Sequence, residues 1–169
     1  MVNPEVSVKL NEQVNAELFA SITYLQMCAW CEAKGLEGAS KFFRMHSLEE
    51  RDHLDKVFSY MTESNLPVCF GTTPTPKSEF ANLMEILNAA FEHEKIVTSK
   101  VNKLAELAFE HKDYTTFNFM QWFIAEQHEE EVLFQRILDK AALLGFTGES
   151  GQSLWHMDNL LGRLAGGAN

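Results

Sequence analysis

Hydrophobic residues recur at intervals of three and four along four long stretches of this chain, a pattern that predicts amphipathic helices. The first stretch reads Leu10, Val14, Glu17, Ser21, Tyr24, Cys28, and the second Phe43, His46, Glu50, His53, Val57, Met61. The third reads Leu83, Leu87, Ala90, Glu94, Val97, Val101, Leu104, Ala108, and the fourth Met120, Phe123, Gln127, Glu130, Phe134, Ile137, Ala141. The spacing predicts helices over residues 5–34, 39–64, 78–112 and 114–144, with Ser78 as the cap of the third and Gly35 and Gly145 as stops. A short fifth helix is expected over 153–161, where Leu154, Trp155, Met157, Leu160 and Leu161 make an apolar face.

The connections predict the topology. The Gly35–Gly38 and Asp113 turns are tight and favour antiparallel neighbours. Leu66 to Lys77 carries Pro67, Pro74 and Pro76, which suits an extended crossover. The expected fold is all-α: a single domain over 1–169, built as a four-helix bundle of two antiparallel pairs with one long crossover and a short C-terminal helix.

Each inward stripe is interrupted by polar residues near its middle, and the interruptions repeat. Glu17 and Glu50 lie thirty-three positions apart, as do Glu94 and Gln127, and the triplet Glu17, Glu50, His53 recurs seventy-seven positions later as Glu94, Gln127, Glu130. No Lys or Arg occupies the same stripes to neutralise the carboxylates. Buried carboxylates lose hydration and repel one another, so this arrangement calls for a cation. Glu50-x-x-His53 on one bundle helix, with single Glu residues from others, is the di-iron carboxylate pattern. An oxygen-rich set with one imidazole suits iron or manganese better than a closed structural zinc site.

Composition narrows the partners. A formal charge of −10 argues against nucleic acid, whose phosphates need clustered Lys and Arg. No apolar run reaches membrane-spanning length and the first residues do not read as a signal peptide, so no membrane partner is expected. Three cysteines, Cys28, Cys31 and Cys69, do not suggest a disulfide framework and fit a reducing cytoplasm.

The segments Asn11–Glu17, Glu49-Glu50-Arg51-Asp52-His53 and Gln121–Glu131 resemble the bacterial non-haem ferritins, and the resemblance extends over essentially the whole chain. It implies a ferritin-like bundle and iron storage with ferroxidase activity: Fe(II) is oxidised by O2 or hydrogen peroxide at a di-iron site within the subunit. One iron would be held by Glu17, Glu50 and His53, with Glu50 bridging to a second held by Glu94 and Glu130, and with Gln127 beside the pair. A third iron site would use Glu49, Glu126, Glu129 and Glu130. The resemblance also implies a cytoplasmic homo-oligomeric shell of twenty-four subunits enclosing ferric mineral. Asp52 stands where the haem-binding relatives carry a Met ligand, so no haem is expected. The second half-site lacks the His of a symmetric pair, and the expected consequence is a second iron held more loosely.

Competing readings are a dedicated di-iron oxidase that keeps its metals and a helical assembly or metal buffer with no oxidation step. Tyr24, two turns after Glu17, reads equally as an electron donor beside the pair or as a packed core aromatic. Trp122 reads as core packing near the site, with a redox role as the alternative. His46, one turn before Glu50, reads as a hydrogen-bonded core histidine, with a role behind the metal ligands as the alternative. Glu106, Glu110 and Asp113 read either as a solvated face or as the lining of an iron pore.

Overall fold

The computed structural model describes residues 2–149 and 151–166, and among them every regular element is a helix. The helices are α1 (Pro4–Ala33), α2 (Glu37–Glu63), α3 (Leu83–Glu110), α4 (Tyr114–Leu143) and α5 (Gln152–Ala165). Asn3 caps α1 by accepting the Glu5 N–H at 2.8 Å, ahead of Pro4 in the first turn, where a missing N–H costs nothing.

All four long helices end the same way. One residue turns left-handed after the cap: Gly35, Asn65, Lys112 and Gly145. Its amide and the next bond back into the last turn, as Gly35 N–H does to Glu32 O and Leu36 N–H to Cys31 O. Lys112 pays a steric cost that the glycines avoid. Its successor Asp113 at once caps α4, with Oδ1 accepting the Thr116 N–H at 3.1 Å.

The third helix begins at Leu83, later than the spacing predicts. Asn82, not Ser78, is the cap: its side chain accepts the Glu85 N–H at 3.0 Å, while the Glu85 carboxylate reaches back to the Ala81 N–H at 2.6 Å. Three residues after Ser78 stands Ala81, which has no carboxylate to close such a box. The fifth helix runs past 161 to Ala165, because Leu164 and Ala165 continue its packing against the core.

α1 packs on α2 and α3, α3 on α4, and α5 on α2. The crossover between α2 and α3 is extended and pinned to α1. Asn11 accepts the Cys69 N–H at 2.8 Å and donates to the Cys69 carbonyl at 3.0 Å, and Asn15 accepts the Gly71 N–H at 2.8 Å. α5 reaches α2 where Gly38 meets its backbone: a Cβ on Gly38 would come within 1.9 Å of the Asp158 carbonyl oxygen. Met157 and Leu161 are buried by this docking. These packings build the expected four-helix bundle with its short fifth helix.

The core is not continuous. One apolar cluster gathers Tyr24, Met27, Phe42, Phe43, Leu87, Ala90, Phe134 and Ile137 toward the α5 end. A second gathers Leu10, Val14, Leu54, Val57, Val97, Val101, Met120 and Phe123. The polar interruptions of the four stripes lie between them in sequence on every helix, and all but the half-buried Ser21 are buried.

Candidate metal centre

α1 delivers Glu17, α2 delivers Glu50 and His53, α3 delivers Glu94, and α4 delivers Gln127 and Glu130. None is more than 8% exposed, so these six side chains are as buried as the Leu and Phe that flank them. Helical periodicity alone explains the placement: each residue takes a turn of its stripe that would otherwise carry a hydrophobe.

The two halves are arranged differently. One ligand atom from each of Glu17, Glu50 and His53 lies within 4.8 Å of the others. Glu50 Oε2 is 3.3 Å from His53 Nδ1. Gln13, one turn before Glu17 and buried, donates to Glu17 Oε1 at 2.6 Å. In the other half, both oxygens of Glu94 accept hydrogen bonds. The Tyr24 hydroxyl donates to Oε1, and Gln127 Nε2 donates to Oε2 at 3.0 Å. Tyr24 is fully buried, its ring stacked between those of Phe43 and Phe134.

The electrostatics are those of a site lacking its countercharge. Burial pushes the Glu17 carboxyl well above its ordinary value, and the neighbouring Glu50 adds to this. Glu50 is raised in the same way, by burial and then by Glu94. Burial lifts Glu94 to about 7, against the pull of its Tyr24 and Gln127 donors. Burial and the Glu94 charge also hold the Tyr24 hydroxyl well above the normal phenol range. Among the described residues, seven buried side-chain polar atoms have no hydrogen-bond partner, and four of them are here: Glu17 Oε2, Glu50 Oε2, Glu130 Oε2 and His46 Nε2. Unpartnered carboxylate oxygens in a dry interior fit a cation, because each otherwise bears its full desolvation penalty.

Around this layer the other expected residues are graded by exposure. Glu49 and Glu126 are half-buried and Glu129 is exposed. Burial raises the Glu49 and Glu126 carboxyls. The second group of three ligand atoms within 4.8 Å is His46, Glu49 and Glu130, without Glu126 or Glu129. Trp122 is not core packing: it is 37% exposed, with its ring edge-on to His53 at 5.3 Å and Lys56 Nζ 4.2 Å above its face. Its position one residue before Phe123 turns it off the buried stripe. Glu106 and Glu110 lie on an exposed face, and Asp113 serves as a helix cap. Cys28 and Cys31 are buried free thiols, Cys31 pushed up to about 12 by burial. Gln13 is the site neighbour that periodicity left unmarked. Its position four before Glu17 is the signal that would have found it.

Residues 8–144 match the family described as Ferritin, the ferritin-like domain. The chain is 44% identical to a probable bacterial non-heme ferritin-like protein of Haemophilus influenzae, covering 98% of each chain. It is also 44% identical to a bacterial non-heme ferritin of Escherichia coli, over 97% of this chain and 98% of that one. An open pore ferritin from the archaeon Archaeoglobus fulgidus superimposes with a TM-score of 0.90 at 33% identity, covering 95% and 96% of the two chains. With its bundle, its crossover and these relatives, the chain belongs to the ferritin family, in the bacterial non-haem branch.

Proposed function

We propose that this protein stores iron, and that it oxidises Fe(II) to Fe(III) at the buried layer before the iron joins a mineral core. The observation that carries the reading is the set of unpartnered buried carboxylate oxygens on Glu17, Glu50 and Glu130 beside His53, in a chain of the ferritin family. Iron is the substrate. Glu17, Glu50 and His53 take one ion, and Glu94 and Glu130 take a second, with Glu50 as the bridge. Two Fe(II) each give one electron, which with two protons reduces O2 to hydrogen peroxide, or one hydrogen peroxide to two waters. The protein supplies spacing and charge, and the metal carries the redox chemistry.

The raised carboxyls support a simple coupling. Burial favours protons on Glu17, Glu50 and Glu94, so binding of Fe(II) displaces protons from them. Gln127 orients Glu94 and Gln13 orients Glu17. Tyr24 gives an electron to the pair in this reading, which its hydrogen bond to Glu94 supports. A third iron position uses Glu49 and Glu130, with Glu126 and Glu129 on the solvent side. No haem takes part.

Leu25, Leu48, Ile96, Leu143 and Trp155 are exposed in the single chain, and such apolar surface supports burial against other copies. The assembly proposed is the closed shell of twenty-four subunits, acting in the cytoplasm. Among the described residues no helix is long and apolar enough to cross a membrane.

The test is aerobic Fe(II) loading of the full chain, followed by size-exclusion chromatography with iron detection and stopped-flow absorbance. Iron co-eluting with a large assembly, far beyond what the site residues can hold, is the expected result. Two irons per chain and steady turnover would instead identify a dedicated oxidase. Unchanged oxidation kinetics in Glu50→Ala would remove the assignment of the site.

A further inference from the structure

A groove of about 560 Å³ is enclosed by α1, α3 and the crossover residues Gly71 to Pro74. Asn11 and Asn15 pin the crossover to α1 through the backbone of Cys69 and Gly71, so the groove exists before anything enters it. Ala16, Phe19, Pro74 and Leu104 give it apolar walls. Its charged residues are Lys9, Lys100 and Lys103, against the single carboxylate of Glu12. Glu12 is paired with Lys9 at 2.6 Å. Lys100 and Lys103, one turn apart on the exposed side of α3, make no ion pair among the described residues, whereas Lys77 and Lys95 lie on Glu85 and Glu92. Two uncompensated cations thus share one groove in a chain of net charge −10. Gln13 also lines the groove, is 2% exposed, and donates to Glu17 Oε1 at 2.6 Å. One buried side chain therefore touches both the groove and a ligand of the metal layer.

We propose that this groove binds a small organic anion, an acidic group joined to an apolar body of ring size, and that its occupancy is felt at Glu17 through Gln13. The acidic group is met by Lys100 and Lys103, and the apolar body by Phe19 and Leu104. A bare inorganic anion would leave the apolar walls wet, and a hydrocarbon would leave the two cations uncompensated. The volume is that of a site for a small organic molecule, which spans roughly 300–1,000 Å³. A free metal cation is repelled here, so the groove is not its route to the layer. The coupling rests on the iron-handling reading above; the binding of the anion does not. Negative charge beside Gln13 favours a cation at Glu17, so each ligand tightens the other by the same factor.

The probe is 4-bromobenzenesulfonate, which stays ionised, is a poor metal ligand and carries a bromine that locates it. The full-length assembled protein, free of metal, is titrated by calorimetry, and soaked crystals are measured at the bromine absorption edge. The expected result is one probe per chain, with its anomalous peak between α1 and α3. Lys100→Glu combined with Lys103→Glu should weaken binding about tenfold and remove the peak. Both side chains are exposed, and an unchanged melting temperature shows that the variant folds. Uncharged 4-bromobenzyl alcohol should bind more weakly than the sulfonate by a similar factor. No peak in the groove, equal binding by the alcohol, or undiminished binding in the double variant overturns the anion site. Saturating probe should also tighten Zn(II) at Glu17, Glu50 and His53 by about two- to fivefold, and should do nothing in the double variant. A probe that occupies the groove without moving the Zn(II) affinity overturns the coupling. Zn(II) that fails to bind with or without the probe counts against the metal centre and leaves the anion site standing, so the two failures are distinguishable.

Discussion

The two halves of the buried layer are built from the same positions of an internal repeat but are prepared for a cation to different degrees. In the first half, Glu17, Glu50 and His53 already have ligand atoms within 4.8 Å of one another, and Glu17 Oε2 and Glu50 Oε2 are unpartnered. In the second, Glu94 has both oxygens engaged by Tyr24 and Gln127, and Glu130 Oε2 faces His46. The first half resembles a chelate awaiting its ion. The second must give up or rearrange existing contacts before it can close on one. That difference favours unequal affinities for a cation on the two sides.

The largest expected effect comes from Glu50→Ala, which touches both halves. It should abolish the fast oxidation phase in stopped-flow absorbance and remove tight Fe(II) binding at both positions. Retention of the first position alone would mean that the halves are independent.

A paired test separates them. Gln13→Leu should weaken the first metal position about tenfold and leave the second unchanged. Gln127→Leu should do the reverse, since loss of an orienting partner behind a ligand commonly costs ten- to a hundredfold in affinity. Anaerobic calorimetry with Fe(II) reads both. Equal effects of each variant on both positions would dissolve the distinction.

The pH dependence of stability follows from the raised carboxyls. Glu94 sits at about 7 against an ordinary 4.5. The folded protein therefore keeps a proton that the unfolded chain has released. The contribution to stability is full below about 4.5 and is lost as pH rises through about 7. Glu17 and Glu50 shift in the same direction. The melting temperature of the metal-free protein should fall across this window. Glu94→Gln should flatten part of that slope, and saturating Zn(II) should remove most of it by replacing the protons. A metal-free profile that rises over the window would contradict the burial argument.

The smallest effect is a control lying in neither half. Lys112 holds a left-handed conformation that glycine adopts freely. Lys112→Gly should stabilise the chain by about 0.5–1 kcal/mol in denaturant unfolding, with no change in either metal affinity.

Much of this was legible in the residues. The inward stripes on α2, α3 and α4 are buried at every position read from the spacing, because amphipathic periodicity leaves a long helix few ways to face its neighbours. The start of α3 was not legible, since Ser78 and Asn82 are both good caps and only the reciprocal bond from Glu85 decides between them. Trp122 was misread because an aromatic beside a buried stripe has the composition of core but the angle of rim.

By itself the sequence determined the helices, their pairing, the level at which polar side chains interrupt the core, and the kind of atom each interruption carries. Those depend on local periodicity and on turn lengths, which are properties of neighbours along the chain. Tertiary structure alone decided which oxygens of the second half are tied up and which face a neighbour: Tyr24 and Gln127 on Glu94, and His46 opposite Glu130. These pairs join side chains from different helices across distances of a few ångströms, set by how the helices rotate and pack, and spacing along the chain does not encode that.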